Sequence, residues 1–444
     1  MKLAFRLLLL ALVFGSVVAR AEPRAHQPDV IFLDNGVIRV GADLKLGGAI
    51  TWLSRSGDTL NLINSYDWGR QVQMSYYSGP VPFIPAGKEI APQWRGLGWN
   101  PIQAGDHFGH GSPVLESSHD GQSIHVKCTP MQWPLNDVPG DCTFESWLEL
   151  DGNTVRARCR LNNQRSDHRQ YAARMQEMPA VYTNPPFSKI VSYTGDWPFT
   201  GAEAASVEAK QPPHWNRWLA TEHWAALLNK DGWGLGVWNP DCTGFGGGFA
   251  GTPGEGDAKS ASCGYLAPVR NEILDYNIVH EYRYELILGT QQEIRARVVK
   301  DSGAIQVPAW NFQKDRQGWY YHEAADAGWP IQGELAVHFE KGDPQLLSPL
   351  FCVQAEENPI LIVDAAFATS EPNAQIFWST LKQTGFSTEK SLFFPVQSDG
   401  QFHEYRVRLA DSANYRGAIV QLRLDPANES AGAVRVRSIR FSRE

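Results

Sequence analysis

Apolar and polar residues alternate with period two over much of this chain, the signature of strands with one buried and one wet face. In residues 70–77, Val72, Met74 and Tyr76 alternate with Gln71, Gln73 and Ser75. Residues 143–150 and 154–161 alternate in the same way around Asp151-Gly152-Asn153, which predicts a hairpin with Glu on one outer strand opposite Arg on the other. Glu222 to Leu228 and Gly232 to Val237 read as a second hairpin turning at residues 229–232. Residues 403–409 and 418–424 are further strands. In 434–441 the apolar phase slips, from Val434 and Val436 to Ile439 and Phe441, which predicts a β-bulge near Arg437-Ser438. Alternation of this kind belongs to antiparallel sheets.

The pattern divides the chain. A strand at 282–288 ends at Gly289-Thr290, and residues 291–300 have helical character. Short strands with frequent turn signals then run from Trp310 to the end. The expected domains are 29–290, too long for a simple sandwich, then a linker at 291–309 and a β-sandwich at 310–444. The glycine-rich stretch 244–256 reads as a flexible loop. With 40 Gly and 28 Pro in 444 residues, long helices have little room and an all-α fold is excluded.

Composition adds three constraints. The chain is 43% hydrophobic and 20% charged with 16 Trp, 14 Tyr and 20 Phe, as a folded protein requires. Its net charge of −8 argues against a nucleic-acid partner, whose phosphates call for clustered Lys and Arg. Lys2 and Arg6, the apolar run 7–18 and Ala19-Arg20-Ala21 predict a signal peptide at 1–21 and a secreted or periplasmic protein. That run is too short to span a bilayer, and no later one is long enough. Six cysteines remain. Cys128 with Cys142 and Cys242 with Cys263 are the expected disulfides if the chain oxidises them, whereas Cys159 and Cys352 read as buried thiols. No zinc-ligand spacing occurs, and no cofactor or metal is expected. The oligomeric state is open.

Two regions carry the main candidate chemistry. In a third, His214-Trp215 to Trp218 with Glu222-His223-Trp224, Trp233 and Trp238, at most one of Glu222 and His223 meets a ligand, and Trp224 and Trp233 read as core. Residues 84–116 form a loop system with Trp94, Trp99, Asn100, Asp106, His107 and His110. Aromatic faces can stack on sugar rings while Asp, Asn and His bond hydroxyls; alternatively, the tryptophans cap the sandwich and the histidines bond backbone. Residues 174–184 place Glu177 between Met175 and Met178, with Arg174 and Tyr182 nearby. An apolar setting would keep a carboxyl protonated for general-acid work, unless Glu177 simply pairs with Arg174. His280 reads as a structural histidine. Nucleophile-elbow, P-loop and dinucleotide motifs are missing.

Residues 35–40, Gly47-Gly48-Ala49-Ile50 and 62–70 (Leu-Ile-Asn-Ser-Tyr-Asp-Trp-Gly-Arg) resemble the opening of galactose-mutarotase-like supersandwich domains. The resemblance implies an all-β fold, a large antiparallel supersandwich across 29–290, and a place among sugar epimerases, glycoside hydrolase domains and polysaccharide lyases. The mutarotases' own His and Glu motifs are not matched. Residues 310–444 are similar to galactose-binding-like jelly rolls of secreted carbohydrate-active enzymes, by Trp310, Phe312, Gly318-Trp319 and Tyr405. These resemblances imply a glycan ligand. One reading is a glycoside hydrolase with Glu177 as acid and Asp106 as base or nucleophile, contacting substrate through His107, Tyr182 and Trp99. A second is a lyase using Tyr182 or His107 as base with Arg174 neutralising a uronate. A third is a glycan-binding protein without catalysis. All need 94–110 and 174–184 to line one hollow.

Overall fold

The structure is a computed structural model and describes residues 27–302, 307–340, 342–428 and 430–444; the expected signal peptide lies outside them. The first hairpin forms as its alternation demands. Strands Cys142–Asp151 and Thr154–Asn163 pair with Glu149 opposite Arg156 and Glu145 opposite Arg160. Gly152 turns the chain at φ +57°, a left-handed angle that a residue without a Cβ takes at no cost.

Among the described residues this hairpin belongs to a nine-stranded sheet that faces a ten-stranded one. Val40, Leu53, Met74, Tyr76, Val181 and Leu266 from the larger sheet share one core with Phe144, Leu161, Leu235 and Tyr282 from the smaller. Each such side chain contributes about 1.5–3 kcal/mol by leaving water. The order of the larger sheet positions the site. Strand Val72–Ser75 lies beside Arg174–Thr183, which lies beside Cys263–Glu272, so segments about a hundred residues apart become neighbours. The all-β architecture is as expected.

The glycine run departs from expectation. Gly244–Ala250 is a strand, paired with Cys263–Glu272 on one side and Asn216–Leu219 on the other. Its glycines leave room for tryptophans: a Cβ on Gly248 would lie 2.6 Å from the Trp215 ring, and one on Gly247 would lie 3.1 Å from Trp218. The expected disulfides do not form either. All six cysteines are buried free thiols. Burial pushes the thiols of Cys159 and Cys352 up to about 12 and that of Cys263 to about 11.

The segment read as a linker opens with the helix Gln291–Ser302. Thr290 and Glu293 close its N-terminus reciprocally, and Ile294 and Val298 pack on Trp238 and Ile287. No helix among the described residues is long and apolar enough to cross a membrane. Beyond the helix, two six-stranded antiparallel sheets among the described residues enclose a separate core around Trp319, Trp378, Leu424 and Val436. In strand Gly432–Ser442 the pairing jumps from Ser438 opposite Asp364 to Val436 opposite Ala365, a bulge at Arg437 where the phase slip placed it.

The two units are joined by a buried ion cluster. Arg316 binds Asp275 of the first unit at 2.5 Å and Asp326 of the second at 2.6 Å, and Gln170 bridges both carboxylates. Burial works against ionisation of Asp326, but the Arg316 guanidinium outweighs it and holds the carboxyl below its usual range.

Candidate functional site

Register decides which side chains share the open face of the larger sheet. Ser75 stands opposite Glu177 on one side and Ile102 on the other, and directly paired residues point the same way. Met74, Tyr76 and Met178 fill the core behind them. Glu177, Ser75, Tyr77 and Ile102 therefore face away from that core, on the outer side of the sheet, which we call the groove side. The same face carries a second apolar cluster, with Ile102 and Trp133 packed by Trp94 and Leu97.

Glu177 is the chemical centre of this groove. Tyr77 donates its hydroxyl to Glu177 Oε2 at 2.8 Å, and Tyr265 donates its hydroxyl to Oε1. Burial first, and the neighbouring Glu177 charge second, raise the Tyr77, Tyr182 and Tyr265 hydroxyls well above their ordinary range, so all three are neutral donors. That removes Tyr182 as a ready base. Aromatic rings continue from this point: Tyr182 and Trp215 each lie 4.9 Å from Tyr265 between ring centroids. Two arginines act on the tyrosines around the carboxylate, the Arg174 guanidinium 5.8 Å from the Tyr77 ring centroid. Tyr182 feels both Glu177 and Arg70, while Tyr77 feels both Glu177 and Arg174. Arg70 is held by Asp67 at 3.2 Å and by the Ala261 carbonyl at 2.8 Å. Arg174 is held by the Leu97 and Ser78 carbonyls at 2.5 and 3.3 Å, not by Glu177.

The loop system at 84–116 thus reaches the 174–184 strand, through Leu97 and Arg174. Of its candidate residues, Trp94 and His107 stand in the aromatic cluster beside the groove. Trp94 donates to His107 Nδ1 at 3.1 Å, Gln93 lies 2.7 Å from His107 Nε2, and both rings edge Trp133. Trp99 and Asn100 lie elsewhere. Trp99 is 0% exposed inside the sandwich core and donates to Asp141; the buried Asn100 amide donates to the Tyr76 carbonyl. Neither has a surface to offer a ligand.

Asp106 is also spoken for. Fully buried, it accepts the backbone N–H groups of Phe108, Gly109 and His110 on one oxygen, and Asp137 N–H and the His110 ring on the other. It is the hub that shapes the 105–111 loop. His110 is oriented by it and remains partly exposed.

Tyr77, Tyr265 and Arg70 belong to this side of the sheet without any local sequence signal for a site, whereas Trp215 comes from the tryptophan-rich stretch at 214–218. Tyr77 is the next outward position after Tyr76 in an alternation already recognised. Trp215 packs beside the missing side chain of Gly248. Gly248→Ala is therefore expected to displace Trp215, shifting tryptophan emission and costing about 1–3 kcal/mol of stability in thermal unfolding. An unshifted spectrum and melting curve would show the space is not needed.

No protein-family model and no curated protein matches the sequence. Among solved structures, the chain is similar to a putative aldose 1-epimerase from Escherichia coli K12, at 13% identity and TM-score 0.36 over 60% of this chain and 100% of that one. A galactose mutarotase-like protein from Lactobacillus casei is similar at 9% identity and TM-score 0.37, over 58% and 99%. A low-affinity xylan-binding module from Roseburia intestinalis is similar at 13% identity and TM-score 0.21, over 32% of this chain and 96% of that module. Likeness at this level leaves the chemistry to be read from the groove itself.

Proposed function

We propose that the groove binds an acidic glycan and breaks its glycosidic bond by elimination, with Glu177 moving the proton. The observation that carries this reading is the Glu177 carboxylate gripped by two neutral tyrosine hydroxyls, with Arg174 near the Tyr77 ring. Glu177 takes the proton on the carbon next to the uronate carboxylate. An arginine neutralises that carboxylate as negative charge builds on it. The electrons form a C=C bond as the bond to the glycosidic oxygen breaks, and Tyr77 or Tyr265 gives that oxygen its proton. The proton on Glu177 then returns to the tyrosine along their existing hydrogen bond, and no water is consumed.

Hydrolysis by a carboxylate pair is less well supported, because Asp106 is buried and saturated by loop donors. Stacking of sugar rings on the half-buried Tyr182 and Trp215 suits a polysaccharide equally under a binding-only reading. The sequence pattern of residues 1–21 supports export, which would place the protein where such polymers are met.

The test is incubation of the protein with polygalacturonate, alginate, glucuronoxylan and gellan. Ultraviolet absorbance of unsaturated uronates should rise together with reducing ends on at least one of them. Reducing ends without that absorbance would replace elimination by hydrolysis. Retained affinity with no products would leave a binding protein.

A further inference from the structure

On the outer face of the nine-stranded sheet, the far side of the sandwich from Glu177, arginines stand opposite glutamates in two rows and opposite each other in a third. Arg156 has Glu149 on one neighbouring strand and Glu285 on the other, and bonds Glu285 at 3.2 Å. Arg160 has Glu145 and Glu281, and bonds Glu281 at 2.5 Å. Between them, Arg158 stands directly opposite Arg283. Both arginines are exposed, and among the described residues neither has a carboxylate partner. Like charges directly opposite one another weaken a sheet, so this row works against the fold that the rows beside it support.

The unmatched pair is nevertheless held in place. Trp147, opposite Arg158 on the next strand, takes the guanidinium 3.9 Å from its ring centroid. His125, from the strand beyond, stacks on the same indole at 4.9 Å and 18°. Stacking fixes the plane of the Arg158 fork and uses none of the N–H groups around its edge. Directly opposite residues have Cβ atoms about 4.5–5.5 Å apart, so both forks reach one small group. Two adjacent guanidiniums without an acceptor fit a tetrahedral oxoanion, whose several oxygens take paired N–H bonds and whose charge offsets the repulsion. A flat, singly charged carboxylate satisfies one fork only. Arg283 also borders the opening between the two units, which leaves room on that side for the group that the anion is esterified to.

We propose that Arg158 and Arg283 form an anion-binding site for a phosphate or sulfate monoester, separate from the groove and independent of its chemistry. The test is calorimetric titration of the parent, Arg283→Gln and Arg158→Gln proteins with phenyl phosphate, phenyl sulfate and acetate at one ionic strength. Thermal unfolding of the same three proteins, in inorganic phosphate and in chloride of matched ionic strength, completes it.

The parent should bind at least one ester with a Kd about tenfold below that for acetate, and each variant should lose about tenfold in affinity for that ester. The tighter ester identifies the source of the anion. In chloride, Arg283→Gln should melt roughly 1–2 °C above the parent, because the like-charge contact is gone. Phosphate should raise the parent's melting temperature and leave both variants unmoved. A parent that binds neither ester more tightly than acetate overturns the site, as do variants that bind the esters as the parent does. Equal stabilisation of all three proteins by phosphate overturns it too, since the anion would then be held elsewhere.

Discussion

Glu177→Gln should lower turnover of the responsive polymer by about 10²–10⁴-fold while leaving its affinity within a few-fold of the parent's. Glutamine has the shape of glutamate but cannot hold the transferred proton. Its amide oxygen still accepts one tyrosine hydroxyl, while its NH₂ offers the other tyrosine a donor where it had an acceptor. The ring positions, and with them sugar stacking, are retained. Tyr265→Phe should cost less, because Tyr77 still donates to the carboxylate. Product formation by the glutamine variant at the parent's rate would remove Glu177 from the chemistry.

Arg316→Met should destabilise the protein by about 3–5 kcal/mol, since it strands two buried carboxylates without their shared cation. Asp275 and Asp326 are 2% and 6% exposed, so water cannot stand in for the guanidinium. Urea unfolding followed by tryptophan emission should then show the two units separating before either melts. The acid response follows the same cluster. Asp326 has a folded-state pKa below its unfolded one, so its contribution is complete above the unfolded value and is lost as pH falls through the folded value. In the methionine variant that part of the acid transition should vanish. A stability change within about 0.5 kcal/mol would show that the cluster does not hold the units together.

Much of this architecture could be read from alternation. The hairpin at residues 151–154, the bulge at Arg437 and the helix after Thr290 each have a local cause, in turn chemistry, phase or capping, and local causes are visible in one sequence. The groove was legible only in part. Glu177 and Tyr182 stand out by type, but strict alternation would put them on opposite faces; the register shift between Glu177 and Val181 brings them to one. Asp106 and Trp99 stand out equally by type, yet whether an aspartate serves a ligand or five loop donors depends on backbone geometry that no spacing announces. The glycines of 244–250 look like a flexible loop in sequence, yet they form a strand, and the absent side chain of Gly248 leaves room for Trp215. The cysteine spacing misled for a related reason: proximity along the chain says nothing of which way two thiols point in a sheet.

The state of those six thiols bears on how the molecule can be handled. Walled off from solvent and weakly acidic, they offer little to an alkylating reagent at neutral pH and no covalent cross-link whose reduction would loosen the fold. Refolding in dithiothreitol should therefore give the same product as refolding in air. Production in a reducing cytosol should likewise give the same fold as production in an oxidising compartment.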